Sequence, residues 1–178
     1  MTALLYAQDG ETELTENESG GLGVDPFTVQ PLVPEQLRVV YPLIREVLPE
    51  LKLADWLRFG RHLTKHRQGE QRGILAAYRR GREFASGLVC YQVDNDLERG
   101  KVLIAKDFCA MDLLEPKLVL AVLVAELEAL GLRLGCNVIR CVVRDGASQV
   151  AGGLSAAGHA PEGLLLGKPL LPDLSGMK

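Results

Sequence analysis

The run LVLAVLVA from Leu118 to Ala125 constrains this chain more than any other stretch. Leu118, Val119, Leu120, Val122, Leu123 and Val124 cover nearly the whole circumference of a helix predicted over 113–134. A helix apolar all round must be buried by a sheet on one side and by something else on the other, another element or a second copy of the chain. Glu126 and Glu128 close the run far short of the roughly 20 apolar residues that a bilayer span needs. Asp112 stands three places before Glu115, which predicts a capping box. Pro116 is tolerated because first-turn amides have no intrahelical partner. Gly135 ends the helix.

The segments that could supply the sheet lie on either side. Gly73–Tyr78, Phe84–Val93 and Lys101–Met111 read as three successive strands joined by the charged turns 79–83 and 94–100. Links that short predict an antiparallel meander. Val138–Val143 follows the long helix after a tight turn, so it is expected parallel to the strand before that helix. A glycine-containing helix over 147–157 and a closing strand, Leu164–Leu170, complete the pattern. Upstream, Phe27–Leu32 reads as a first strand. Pro34 then opens a helix carrying Leu37, Val40, Leu43, Ile44 and Val47 at helical spacing, which Pro49 stops. A further helix covers 53–65, with Leu53, Trp56, Leu57 and Leu63 on one side.

Composition assigns the rest of the chain and narrows the class of function. Of 178 residues, 47% are hydrophobic and 24% charged, a globular balance. Residues 1–37 hold seven acids and no Lys or Arg. The remaining 16 of the 23 acids face all 20 basic residues, a net of +4. Residues 1–24 read as a flexible acidic leader, residues 25–172 as one domain and 173–178 as a tail. Gly20–Gly23 has no strand before it and no Lys-Ser/Thr after it, so it reads as linker rather than phosphate loop. Basic residues gather between Arg58 and Arg82, but aromatic interleaving is thin, and nucleic acid ranks last among partners. Cys90, Cys109, Cys136 and Cys141 form no C-x-x-C pair. With no basic region ahead of an apolar stretch at the N-terminus, they read as reduced core thiols in a cytoplasmic protein. His62 and His66 are four apart, but Arg61, Lys65 and Arg67 crowd them with positive charge, so a solvated helix face is expected rather than a metal site.

The order β-α-α-β-β-β-α-β-α-β resembles the GNAT acyltransferase superfamily over about residues 26–171. Three segments sharpen the resemblance. Gly135-Cys136-Asn137-Val138-Ile139 is similar to that family's G-C-x-x-I approach to the fifth strand. Leu154–Gly163 is similar to its Y-x-x-x-G-F-x-x-E-G stretch. Gly167-Lys168-Pro169-Leu170 falls where the last strand often carries a basic residue and Leu. The resemblance implies an α/β (α+β) fold with a mixed central sheet, an antiparallel meander followed by β-α-β with parallel, splayed strands. It implies acyl transfer from acetyl-CoA or another acyl-CoA to an amine on a small molecule or a protein, without a metal.

The family's chemistry also shows where this sequence departs from it. Its R/Q-x-x-G-x-G/A loop, which cradles pyrophosphate at a helix N-terminus, falls on Glu115-Pro116-Lys117-Leu118-Val119-Leu120. A carboxylate replaces the basic or amide residue, and two leucines replace the small ones. Lys117 partly offsets that charge. Family resemblance places the pantetheine arm along the splayed end of the fourth strand, near Cys109, Ala110 and Met111. The usual tyrosine acid matches Leu154, which has no proton to give. Asp107, Tyr91 and Cys109 remain as candidate catalytic groups. Each also has a plain structural role: a strand-end ion pair for Asp107 and a packed thiol for Cys109. Two functions stay open, an acyl-CoA-dependent N-acyltransferase with a degenerate cofactor loop and a non-catalytic GNAT-like module that binds a ligand or protein. A homodimer is compatible with both.

Overall fold

The computed structural model describes residues 26–64, 71–112 and 115–168. The predicted leader and tail lie outside them, as do His66 and the end of the predicted closing strand. The elements are β1 (Phe27–Pro31), a 3-10 turn (Pro34–Gln36), α1 (Tyr41–Val47), α2 (Leu53–Thr64), β2 (Arg72–Arg79), β3 (Ala85–Asp96), β4 (Gly100–Ala110), α3 (Pro116–Arg133), β5 (Val138–Cys141) and α4 (Ser148–Ala156). One five-stranded sheet has the order β1-β2-β3-β4-β5. The first three pairings are antiparallel and β4–β5 is parallel, as the short and long connections predict.

Helices cover both faces of the sheet. Strand alternation sends Leu75, Ala77, Val89, Tyr91, Leu103 and Ala105 to the face under α3. Ile74, Ala76, Leu88 and Cys90 go to the face under α1 and α2. β2 is therefore buried at six consecutive positions, which explains its unbroken apolar run. Gly87 lets α3 lie close on the sheet, since a Cβ there would meet the Val119 side chain and sit 2.8 Å from the Cys109 carbonyl oxygen. On the other face the buried Trp56 indole donates to the Leu37 carbonyl at 2.7 Å, fastening α2 to the turn before α1.

Three expectations need correction. The helix predicted to run from Pro34 to Val47 is broken, because Pro42 has no amide and its ring excludes an uninterrupted helix. The chain instead makes a 3-10 turn and restarts at Tyr41, with Pro42 in the first turn. Asp112 does not cap α3. Glu115 occupies the cap position, and the Asp112 carboxylate accepts from the Glu115 amide at 3.0 Å. Among the described residues no closing strand forms: residues 159–168 are irregular, and Leu164, Leu165 and Leu166 are exposed.

Candidate functional site between the parallel strands

β4 and β5 pair only over Val102–Ala105 and Val138–Cys141. The last backbone bond runs from the Val142 amide to the Ala105 carbonyl at 2.8 Å. Beyond it the strands part, and β4 continues from Lys106 to Ala110 with β3 as its only strand neighbour among the described residues. A bulge accompanies the parting. Leu88 pairs with Cys109 and Cys90 with Lys106, so Asp107 and Phe108 together oppose Val89. Asp107 sits at φ 56°, the left-handed region that Asp tolerates better than most residues. Such a bulge bends the strand and interrupts its ladder. Among the described residues it leaves Phe108–Ala110 without a strand partner on the β5 side.

Asp107 stands at the mouth of this cleft. Its Oδ1 accepts from Arg144 Nη2 at 2.7 Å, with the Asp side chain 17% exposed and the Arg side chain 50% exposed. The ion pair joins the diverging strand ends. Behind it, Phe108, Val142, Val143 and Val150 with Val47 of α1 leave a cavity of about 20 Å³. The expected strand-end ion pair is thus present, and it lies at the parting of the strands.

The other two catalytic candidates lie elsewhere. Tyr91 is buried on the α3 face, and a Cβ on Gly73, its cross-strand partner in β2, would lie 2.7 Å from its hydroxyl. The ring leans away from β4 into space that only glycine leaves open. Cys109 is 1% exposed and points to the opposite face from Phe108, where its Sγ donates to the Leu43 carbonyl at 3.2 Å. Burial, with a smaller contribution from the charge on Glu46, pushes this thiol up to about 12, leaving it a neutral packed group. Ala110 and Met111 extend the bare edge, and Met111 is exposed.

The start of α3 borders the same end of the sheet. Pro116 has no amide, and the Leu118 and Val119 amides both bond to the Glu115 carbonyl, at 3.0 and 3.2 Å. Lys117 stands in the same turn. Its exposed side chain makes no ion pair among the described residues. Glu115, read from sequence as a repelling charge, is neutralised by a residue that sequence reasoning did not single out. Arg79 reaches Glu115 Oε2 at 2.8 Å and Asp112 Oδ1 at 3.1 Å, and stacks over the Phe27 ring at 4.8 Å. The hydrogen bond to Asp112, followed by that to Glu115, holds its guanidinium above the ordinary arginine range. The only hint of this pairing in the sequence is the position of Arg79 at the end of a strand, 33 residues before Asp112.

Between α3 and α4 runs a groove of about 650 Å³ with Lys117 at one end and Glu128 at the other. Ala121, Ala125, Gly152 and Ala156 line its floor. Leu154 is 3% exposed and faces the core, so no acid is offered from the tyrosine position. Among the described residues no group of three or more potential metal ligands gathers. His62 Nε2 lies 2.9 Å from Arg72 Nη1.

No family profile and no curated protein matches this chain. Solved structures do. An aminoglycoside N-acetyltransferase, AAC(6')-Iy, crystallised with CoA, is 14% identical with a TM-score of 0.67, covering 80% of this chain and 94% of that one. Glucosamine-6-phosphate N-acetyltransferase from Arabidopsis thaliana is 12% identical with a TM-score of 0.61, covering 80% and 97%. A transcriptional regulator from Bacillus halodurans is 11% identical with a TM-score of 0.67, covering 80% and 99%. The chain has the GNAT fold. That architecture is shared by structures with differently described functions, so activity must be argued from the cleft.

Proposed function

We propose that the protein is a cytoplasmic acyl-CoA-dependent N-acyltransferase with a reduced anion cradle, acting on an amine of a small molecule or protein. The observation that carries this reading is the bare edge of β4 beyond the Asp107 bulge, lying beside a groove that has Lys117 at its end. These residues fit the group. The groove suits a nucleotide, while Lys117 offers an ammonium to its phosphates. The backbone groups of Phe108 and Ala110 on the side away from β3 suit the amides of a pantetheine arm. CoA structures of AAC(6')-Iy support the same use of the fold. When bound, acyl-CoA supplies an acyl group activated as a thioester.

Asp107 is the side chain at the cleft suited to proton transfer. An ammonium acceptor must lose a proton before its nitrogen is nucleophilic, and the Asp107 carboxylate takes that proton. Leu154 has none to give, so the protonated Asp107 is also the group placed to return one. Arg144 holds the carboxylate until the acceptor arrives and must swing aside to widen the cleft.

Thiol release from acetyl-CoA, followed against a panel of amines, tests this reading. Asp107→Asn is expected to lower kcat by about 100-fold or more, with little change in KM for acetyl-CoA. Binding without turnover on any amine would favour a second reading, a non-catalytic module. That alternative is supported by the Asp107–Arg144 pair across a cleft of only about 20 Å³ and by the apolar Leu154.

A further inference from the structure

Several of the basic residues between Arg58 and Arg82 have partners in the fold. Arg58 pairs with Asp55 at 2.7 Å, Arg72 Nη1 lies 2.9 Å from His62 Nε2, and Arg79 is held by Asp112 and Glu115. Arg82 is exposed and makes no ion pair among the described residues. It stands in the turn between β2 and β3, where its amide bonds to the Arg79 carbonyl at 2.9 Å and Gly81 takes the left-handed φ of 77°. Arg80 and Glu83 are exposed in the same turn. Phe84 follows at 71% exposure, the one aromatic ring left so far in solvent among the described residues. Met111, also exposed, bonds through its amide to the carbonyl of Ser86, two residues on from Phe84, at 2.7 Å. Charge and the course of the chain indicate what covers this surface.

The acidic end of the chain enters the fold at this turn. The Arg80 amide bonds to the Pro26 carbonyl at 2.8 Å, and Phe27 pairs with Arg79. The chain before Pro26 is therefore tethered beside Arg80. Residues 1–37 carry seven acids and no Lys or Arg, so what is tethered there has the opposite charge. Leu14, Glu16 and Glu18 alternate with Thr15 and Asn17, a spacing that sets all three on one side of an extended chain. Taken from Glu18 back to Leu14, the order acid, acid, apolar matches Arg80, Arg82 and Phe84. Seven residues separate Glu18 from Pro26, and three of them are glycines, Gly20, Gly21 and Gly23. Glycine allows a chain to reverse direction within a few residues. A reversal there brings Glu18 back beside Arg80 and sends Leu14 toward Phe84.

We propose that Leu14–Glu18 of this chain docks on its own β2–β3 turn, with Glu18 and Glu16 against Arg80 and Arg82 and with Leu14 over Phe84 and Met111. Exposed ion pairs are individually weak. The tether offsets this, because a link of a few residues holds its two ends at roughly millimolar effective concentration. Glu83 and the Arg79 already bound to Asp112 and Glu115 limit the charge the turn offers, so two carboxylates suffice to match it.

In amide-resolved NMR of the isotope-labelled full chain, Arg82→Glu is expected to shift the resonances of residues 14–18. Arg61→Glu, an equal change of charge at an exposed position of α2, should leave them in place. Resonances indifferent to Arg82→Glu, or moved equally by both replacements, overturn the proposal. Carbodiimide, which joins an ammonium to a carboxylate it touches, then identifies the occupant in the full chain carrying Arg82→Lys. Peptide mass spectrometry should find the introduced ammonium linked to Glu16 or Glu18 of the same chain, with severalfold less product in about 0.5 M salt, where exposed charges are screened. A link between two chains, a link to Glu83 alone, or a yield indifferent to salt contradicts docking within one chain. Neither experiment involves acetyl-CoA, so this contact stands or falls separately from the acyltransferase reading.

Discussion

The antiparallel and parallel parts of the sheet are built to different standards of completeness. β2 is buried at six consecutive positions, while all four residues of β5 are only half-buried. β3 and β4 remain paired from end to end apart from one bulge, whereas β4 and β5 separate after four residue pairs. The first region is a packed platform. The second is a short parallel seam that opens beyond its fourth residue pair and, among the described residues, has no further strand outside β5. The proposed cofactor cleft lies in the second region, where the strands part.

Core substitutions should show this contrast most strongly. Leu103→Ala in β4, at a site with no exposed surface, should cost about 2–5 kcal/mol by denaturant titration. Ile139→Ala in β5 should cost distinctly less, because its side chain already reaches solvent. Equal losses would break the distinction between platform and seam. The approach to α3 gives the next effect. Arg79→Ala leaves Asp112 and Glu115 without their shared cation, and should both lower Tm and weaken acetyl-CoA binding. Glu115→Gln should keep the fold and tighten acetyl-CoA about two- to fivefold, the scale of one exposed charge.

The smallest expected effect is on the clasp that holds the chain beside β5. Backbone hydrogen bonds from Arg99 and Glu98, then the side chain of Arg140, hold the Asp96 carboxyl below its ordinary range. Glu162 is lowered chiefly by its hydrogen bond from Arg140. Groups depressed in the folded state stabilise it above their unfolded values, near 4, and lose that contribution as pH falls through their folded values. Protection of the amides around Glu162, taken relative to the intrinsic exchange rate at each pH, should therefore be lost on acidification below about pH 4. Protection insensitive to acid would show that the clasp does not hold this segment.

Much of the platform was legible in the sequence because its causes are local. Apolar runs bounded by charged turns marked β2, β3 and β4, the shortness of those turns marked their antiparallel order, and the unbroken apolar stretch marked α3. The failures have equally specific causes. Pro42 interrupts a run whose apolar spacing looks continuously helical. The leucines of 164–166 have strand chemistry but pair with no strand among the described residues. At the site, Asp107 was legible as an acid at a strand end, but its left-handed conformation and its pairing with Arg144 arise from a bulge that no residue pattern announces. Arg79 was hidden by distance along the chain, since its partners lie beyond two strands. Leu154 and Glu115 were legible as departures from the family pattern, and the structure adds that one fills the core and the other is neutralised.

Calorimetric titration of the full chain with acetyl-CoA, beside Lys117→Ala, tests the cofactor cleft most directly. Saturable one-to-one binding in the sub-millimolar range, weakened roughly 5- to 10-fold by Lys117→Ala as expected for the loss of one charge-assisted contact, is the predicted result. The absence of heat at millimolar acetyl-CoA, or binding indifferent to Lys117, would contradict the assignment of the α3–α4 groove and the β4 edge to an acyl-CoA.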